Sequence, residues 1–242
     1  MIYDEFKGKE RNDTVLLFVH GSGCNKKFMQ SLALRFENYT KILVDLPGHG
    51  DDPDREDSDY TYENYITKLV DFLASLEDKQ VIVIGHSLGG LLAVDVATRN
   101  LPNVKAVVSL SGAAKFENLD AGLVEKASKG VVDLEYLMSQ LDQNEETVKA
   151  IATMENEDII LKDLIIDSQV DIKDKLKDAR TPLVMLAGQC DDLVKPGNSY
   201  YVHYNVNDCI MMTVPRCRHM AFLIRADITC MMISLMIDNY TK

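Results

Sequence analysis

The chain has 242 residues, 46% of them hydrophobic, which suits one α/β domain with an insertion and excludes a disordered polymer. Its formal charge of −12 repels phosphate backbones and anionic lipid, which argues against nucleic-acid or membrane-surface partners. No apolar run approaches the ~18 residues of a membrane span, the charged opening MIYDEFKGKERND lacks a signal-peptide core, and five cysteines without a CxxC pair point to a reduced, cytoplasmic protein.

The first seven residues are a candidate weak edge strand. Residues 14–20 (TVLLFVH), 41–46 (KILVDL) and 80–85 (QVIVIG) are apolar without alternation, the pattern of parallel strands covered on both faces. Between the last two, Thr61 is placed to cap a helix whose Tyr65, Leu69, Phe72 and Leu76 share one face. LLAVDVATRN predicts a helix that stops before Pro102. Strands at 104–112 and 182–188 follow, then a helix carrying His203, a last strand at 209–215, and an amphipathic helix in ITCMMISLMIDNY. Strand and helix in alternation predict a doubly wound, mostly parallel α/β sheet.

Residues 113–179 break that rhythm with helical pattern alone, too long and too patterned for a loop. They hold 16 acidic and 8 basic residues, most of the net charge. We read them as a helical insertion covering one edge of the sheet, with 1–112 and 180–242 as the core. Leu134, Leu137, Met138 and Leu141 read more simply as ordinary core than as a ligand-binding stripe.

VIVIGHSLGG places Ser87 where a buried strand ends and a helix begins, between Gly85 and Gly89. So sharp a turn strains its central residue and leaves no room for side chains two positions away on either side. In return the hydroxyl stands above the strand end, and the Leu88 amide is placed to stabilise an oxyanion. The plainer alternative is an ordinary turn with an incidental serine.

A serine hydroxyl needs a base. The chain has five histidines, at 20, 49, 86, 203 and 219. On a strand–helix elbow the chain order is serine, acid, histidine, which leaves His203 and His219. His219 follows the last strand directly and is preferred. The acid belongs just beyond the strand ending at Gly188, where Asp191 has better spacing than Asp192, which would face solvent or cap the next helix. A second oxyanion donor is sought in VHGSGCNKKF: the Ser22 amide first, then Gly23. The Ser22 hydroxyl is a further candidate there. His20 reads as a hydrogen-bonded structural residue.

Together HGSG (20–23), DLPGHG (45–50), GHSLGG (85–90), GQCDDLV (188–194) and His219 resemble the α/β-hydrolase family. The resemblance covers the core. It implies that DLPGHG shapes a wall of the site with His49 structural, and that the insertion is a lid shaping substrate choice. Serine at the nucleophile position implies acyl transfer on a small-molecule substrate, with no cofactor or metal. A carboxylesterase is the simplest expectation; a peptidase, a thioesterase, an acyltransferase and a non-catalytic binding module on the same scaffold stay open. Cys24, Cys190 and Cys217 all fall in loops near this edge; inert thiols are a simpler reading than an oxidation gate.

Overall fold

The computed structural model describes residues 1–10, 12–53, 55–117 and 119–241. Seven strands form one sheet in the order β1-β3-β2-β4-β5-β6-β7. They are β1 (Ile2–Phe6), β2 (Thr14–Val19), β3 (Thr40–Asp45), β4 (Gln80–His86), β5 (Val104–Leu110), β6 (Leu183–Gly188) and β7 (Cys209–Val214). β1 runs antiparallel to β3 and every other pairing is parallel. The weak edge strand thus exists, half-exposed on the outside of the sheet.

The continuous apolar runs are explained by cover on both faces. On β2, Val15, Leu17 and Val19 enter one buried layer and Leu16 and Phe18 the other. The first layer is closed by α2 (Tyr62–Ala74), α3 (Leu88–Arg99) and α8 (Pro196–Asn205). The second is closed by residues around α1 (Gln30–Ala33), by α9 (Ala221–Ile224) and by α10 (Ala226–Tyr240). Thr61 caps α2, its hydroxyl accepting from the Asn64 amide at 3.2 Å. The buried face of α2 differs from the expected one. It is Tyr65, Ile66, Leu69 and Leu73, whereas Phe72 and Leu76 are half-buried, Phe72 meeting Tyr3 of the exposed edge strand at 5.2 Å between ring centroids.

The insertion between β5 and β6 contains α4 (Ala121–Ser128), α5 (Leu134–Gln140), α6 (Glu145–Ile151) and α7 (Glu157–Gln169), with no strand among its described residues. Leu123, Ala127, Leu137, Ile160 and Leu164 give it a small core of its own. It reaches across the carboxyl-terminal edge of the sheet: the Glu155 amide donates to Gly23 O at 2.8 Å, and Asp142 accepts from the Arg218 and Met220 amides. That edge holds a topological switch. β3 lies on one side of β2 and β4 on the other, so the loops leaving β2 and β4 diverge and open a crevice above the strand ends.

Candidate active site

Ser87 sits between β4 and α3 with φ 54° and ψ −116°, a conformation L-residues rarely adopt. The flanking glycines are a steric requirement. A Cβ on Gly85 would lie 2.0 Å from Gly89 O, and one on Gly89 would lie 2.4 Å from both His20 O and Val19 O. The elbow therefore closes only where both positions lack side chains. The Ser87 amide is anchored to Leu110 O at 2.9 Å. Leu88 opens α3, so its N–H has no intrahelical acceptor.

His219 lies between β7 and α9 and is buried. Its Nδ1 is 2.8 Å from Asp191 Oδ2. Asp191 is 1% exposed, and its other oxygen accepts from the Leu193 and Val194 amides at 3.1 and 2.9 Å, which fixes the carboxylate. Asp192 is exposed and caps no helix, since α8 begins after Lys195 without a side-chain cap. The His219 carbonyl is contacted at 3.3 Å by both His86 Nε2 and Ser111 Oγ. Asp142 holds the amides on either side, those of Arg218 and Met220, at 2.9 and 3.2 Å. The His219 loop is thus held from the sheet and from the insertion at once.

Ser87 and His219 line one cavity of about 70 Å³, together with Gly21, Ser22 and Asp167. The rest of its wall is largely apolar. The Gly21–Cys24 turn enters from β2, with Cys24 N donating to Gly21 O at 3.2 Å and Gly23 at φ 63°. The Gly23 amide donates to Asp163 Oδ2 at 2.7 Å and is already engaged, whereas the Ser22 hydroxyl meets Asp167 Oδ2 at 2.6 Å. Leu137, Met138 and Leu141 are core residues, as expected, and also line the cavity. Leu134 stays with the insertion's own core.

The other histidines have structural partners. His20 Nδ1 donates to Gly21 O at 2.9 Å and Nε2 accepts from Leu46 N at 3.0 Å, which defines a neutral ring. Burial, helped by the nearby His49 charge, lowers its pKa to about 4. His86 is packed between Phe28 and Phe222, with ring centroids at 5.6 and 4.5 Å, and burial keeps it uncharged. His203 bonds Cys209 O at 2.7 Å, in α8. Burial raises the Cys24 and Cys217 thiols, which makes them poor nucleophiles and favours the inert reading; Cys190 is exposed.

Three aspartates escape the sequence reading: Asp142, Asp163 and Asp167. The last two leave a signal, because they stand four apart on α7 and share its buried side with Ile159, Ile160, Leu164 and Ile166. Asp142 leaves none, since the amides that donate to it lie in a loop 76 or more residues away.

A sequence model described as "Alpha/beta hydrolase family" matches residues 16–227. The pimeloyl-[acyl-carrier protein] methyl ester esterase of Wigglesworthia glossinidia brevipalpis is 25% identical, over 93% of this chain and 94% of its own length. The structure of a lipase-esterase related protein from Clostridium acetobutylicum is 31% identical, covers 98% of this chain and 99% of its own, and superposes with a TM-score of 0.90. MenH from S. aureus, 19% identical with a TM-score of 0.82 over 98% of this chain and 97% of its own, shares the fold. Among the described residues no helix is long and apolar enough to cross a membrane. With most of its length matched and its whole fold shared, the chain belongs to the alpha/beta hydrolase family.

Proposed function

We propose that the protein is a serine hydrolase that cleaves a carboxylic ester of a small molecule through an acyl-enzyme. One observation carries this reading: His219, bonded to a buried Asp191 at 2.8 Å, shares a cavity with the serine of a strained strand–helix elbow. The names of the relatives, a methyl ester esterase and a lipase-esterase related protein, agree with it. The largely apolar wall of the cavity suits the acyl chain of such a substrate.

The bond to Asp191 keeps the proton on Nδ1 and leaves Nε2 as the base. Ser87 Oγ attacks the ester carbonyl as its proton passes to His219 Nε2. The tetrahedral oxyanion is held by the Ser22 and Leu88 amides. The C–O bond to the alcohol breaks, and the alcohol leaves with the proton from Nε2. Water then gives a proton to Nε2 and attacks the acyl carbon, and the acid departs as Ser87 regains its proton. The insertion, residues 113–179, acts as the lid over this cavity. Five unpaired cysteines fit a reducing, cytoplasmic setting.

Purified protein should hydrolyse p-nitrophenyl butyrate, and Ser87→Ala should lower kcat by about three orders of magnitude or more. A fluorophosphonate should label the wild type at Ser87. Undiminished turnover by Ser87→Ala overturns the reading.

A further inference from the structure

Among the described residues, two side chains that line the cavity beside Ser87 carry a buried polar atom without a protein partner, His86 at Nδ1 and Asp167 at Oδ1. Ser22, Ser87 and His219 serve the chemistry, and His86 supports the His219 loop. Asp167 does neither. It is 7% exposed, projects from α7 and lines the same cavity. Its Oδ2 meets Ser22 Oγ at 2.6 Å, and among the described residues no group partners Oδ1. A buried oxygen without a partner is uncommon enough to require an explanation.

The surroundings define what could fill that gap. The cavity wall is largely apolar, including Phe116, Leu119, Ile160 and Leu164. Burial outweighs the Ser22 hydrogen bond and, with the Asp163 charge adding to it, holds the Asp167 carboxyl well above the usual carboxylate range. Such a shift favours the neutral, hydrogen-bond-donating form of the carboxyl over the charged one. A carboxylate ligand would add a third acidic group beside Asp163 and Asp167. An ammonium would require the ionised carboxyl that burial opposes. A hydroxyl both donates and accepts, so it pairs with a neutral acid whichever oxygen carries the proton.

Position narrows the class further. Asp167 touches the side chain of Ser22, whose amide we assign to the oxyanion, so a group bound there lies within a few bonds of the reacting carbonyl. We propose that Asp167 is a specificity-determining residue that reads a hydroxyl on the acyl chain, making hydroxyacyl esters the preferred substrates. This rests on the serine-esterase reading of the same cavity.

The test uses the full chain and three matched esters, ethyl butyrate and the two enantiomers of ethyl 3-hydroxybutyrate, followed by pH-stat titration. In the wild type, kcat/KM for one hydroxylated enantiomer should exceed that for the butyrate by about tenfold or more. In Asp167→Leu that ratio should fall to about one, and in Asp167→Asn, whose amide also donates and accepts, it should fall only in part. Thermal melting and fluorophosphonate labelling check that each variant is folded. A wild-type ratio near one, or an unchanged ratio in Asp167→Leu, overturns the inference. So does an equal loss on all three esters, which would make Asp167 a positioning residue for the Ser22 turn. Labelling at Ser87 without hydroxyl preference removes this inference alone; no labelling and no ester turnover removes the serine-esterase reading as well.

Discussion

Asp163 of α7 and His49 of the turn after β3 form a fully buried ion pair, Oδ2 to Nε2 at 2.9 Å. The other ring nitrogen donates to Pro47 O at 2.9 Å, so both nitrogens face acceptors and only the imidazolium satisfies them. Burial opposes that charge, but the attraction and hydrogen bond of Asp163 outweigh it and raise the His49 pKa. Asp163 also accepts from the Gly23 amide at 2.7 Å and from the Tyr65 hydroxyl at 2.8 Å. One carboxylate therefore ties the insertion to the Ser22 turn, the β3 turn and α2.

Removing it leaves a buried cation and two donors unpaired. Asp163→Ala should cost about 3–5 kcal/mol of stability, lowering the melting temperature by roughly 6–20 °C for a chain of this size. Differential scanning calorimetry reads this directly. A shift under about 2 °C would mean that α7 adds no hold on the core.

The same pair predicts a pH signature. His49 has a folded pKa above its ordinary 6.5, so its contribution is complete below about 6.5 and is lost as pH rises through the raised value. Asp163 has a folded pKa below 3.8, so its contribution is present above 3.8 and is lost as pH falls through the lowered value. His20 acts in the opposite sense to His49, its stability falling away between 6.5 and about 4. Comparing wild type with Asp163→Asn reports on the pair together with whatever of His20 is coupled to it, since the His20 and His49 rings lie 5.0 Å apart. The gap in melting temperature should be widest between about pH 4 and 6.5 and should narrow in alkali. A gap that never narrows above pH 6.5, up to the alkaline limit of folding, would count against a charged His49.

This ion pair marks what could and could not be read from the sequence. The strands are legible because burial on both faces leaves runs such as VLLFV, and position 87 is legible because its turn excludes side chains at 85 and 89. Positions 22, 191 and 219 follow from chain order and from the ends of strands, and all four positions meet around one cavity or its immediate support. Asp163 and Asp167 are not legible in the same way. Acidic residues in an acid-rich segment read as solvent-facing, and their partners, His49 and Ser22, lie more than 100 residues earlier. The exposed side of the segment does carry most of its charge, so the composition hid the two exceptions.

The adjacent aspartates should separate cleanly. Asp191→Asn removes the acceptor that fixes the His219 proton on Nδ1 and should lower kcat by about three to four orders of magnitude. Asp192→Asn changes an exposed side chain and should alter kcat by less than about twofold. Steady-state hydrolysis of p-nitrophenyl butyrate distinguishes them. Equal losses in both variants would reassign the acid.

Gly89→Ala tests the elbow without touching a reacting group. Its Cβ would meet the carbonyls of Val19 and His20 at 2.4 Å, and these are strand-end backbone that cannot rotate away. The variant should lose at least about 1–3 kcal/mol together with fluorophosphonate labelling at Ser87. A variant that melts and labels like wild type would show that the turn relaxes.

Acyl length should be set by the insertion. Met138 of α5 lines the cavity yet is half-buried, so it is replaceable at less stability cost than its buried neighbours Leu137 and Leu141. Met138→Trp fills space and should lower kcat/KM for the hexanoate ester relative to the acetate by about tenfold or more, the scale on which an apolar pocket senses methylene groups. Met138→Ala opens space and should move the ratio the other way. The opposed signs matter, because a general disturbance of α5 would depress both esters in both variants. A panel of p-nitrophenyl esters from acetate to octanoate provides the readout. An unchanged chain-length profile in both variants would place the acyl group elsewhere, away from α5, and would remove the insertion from substrate selection at that end of the cavity.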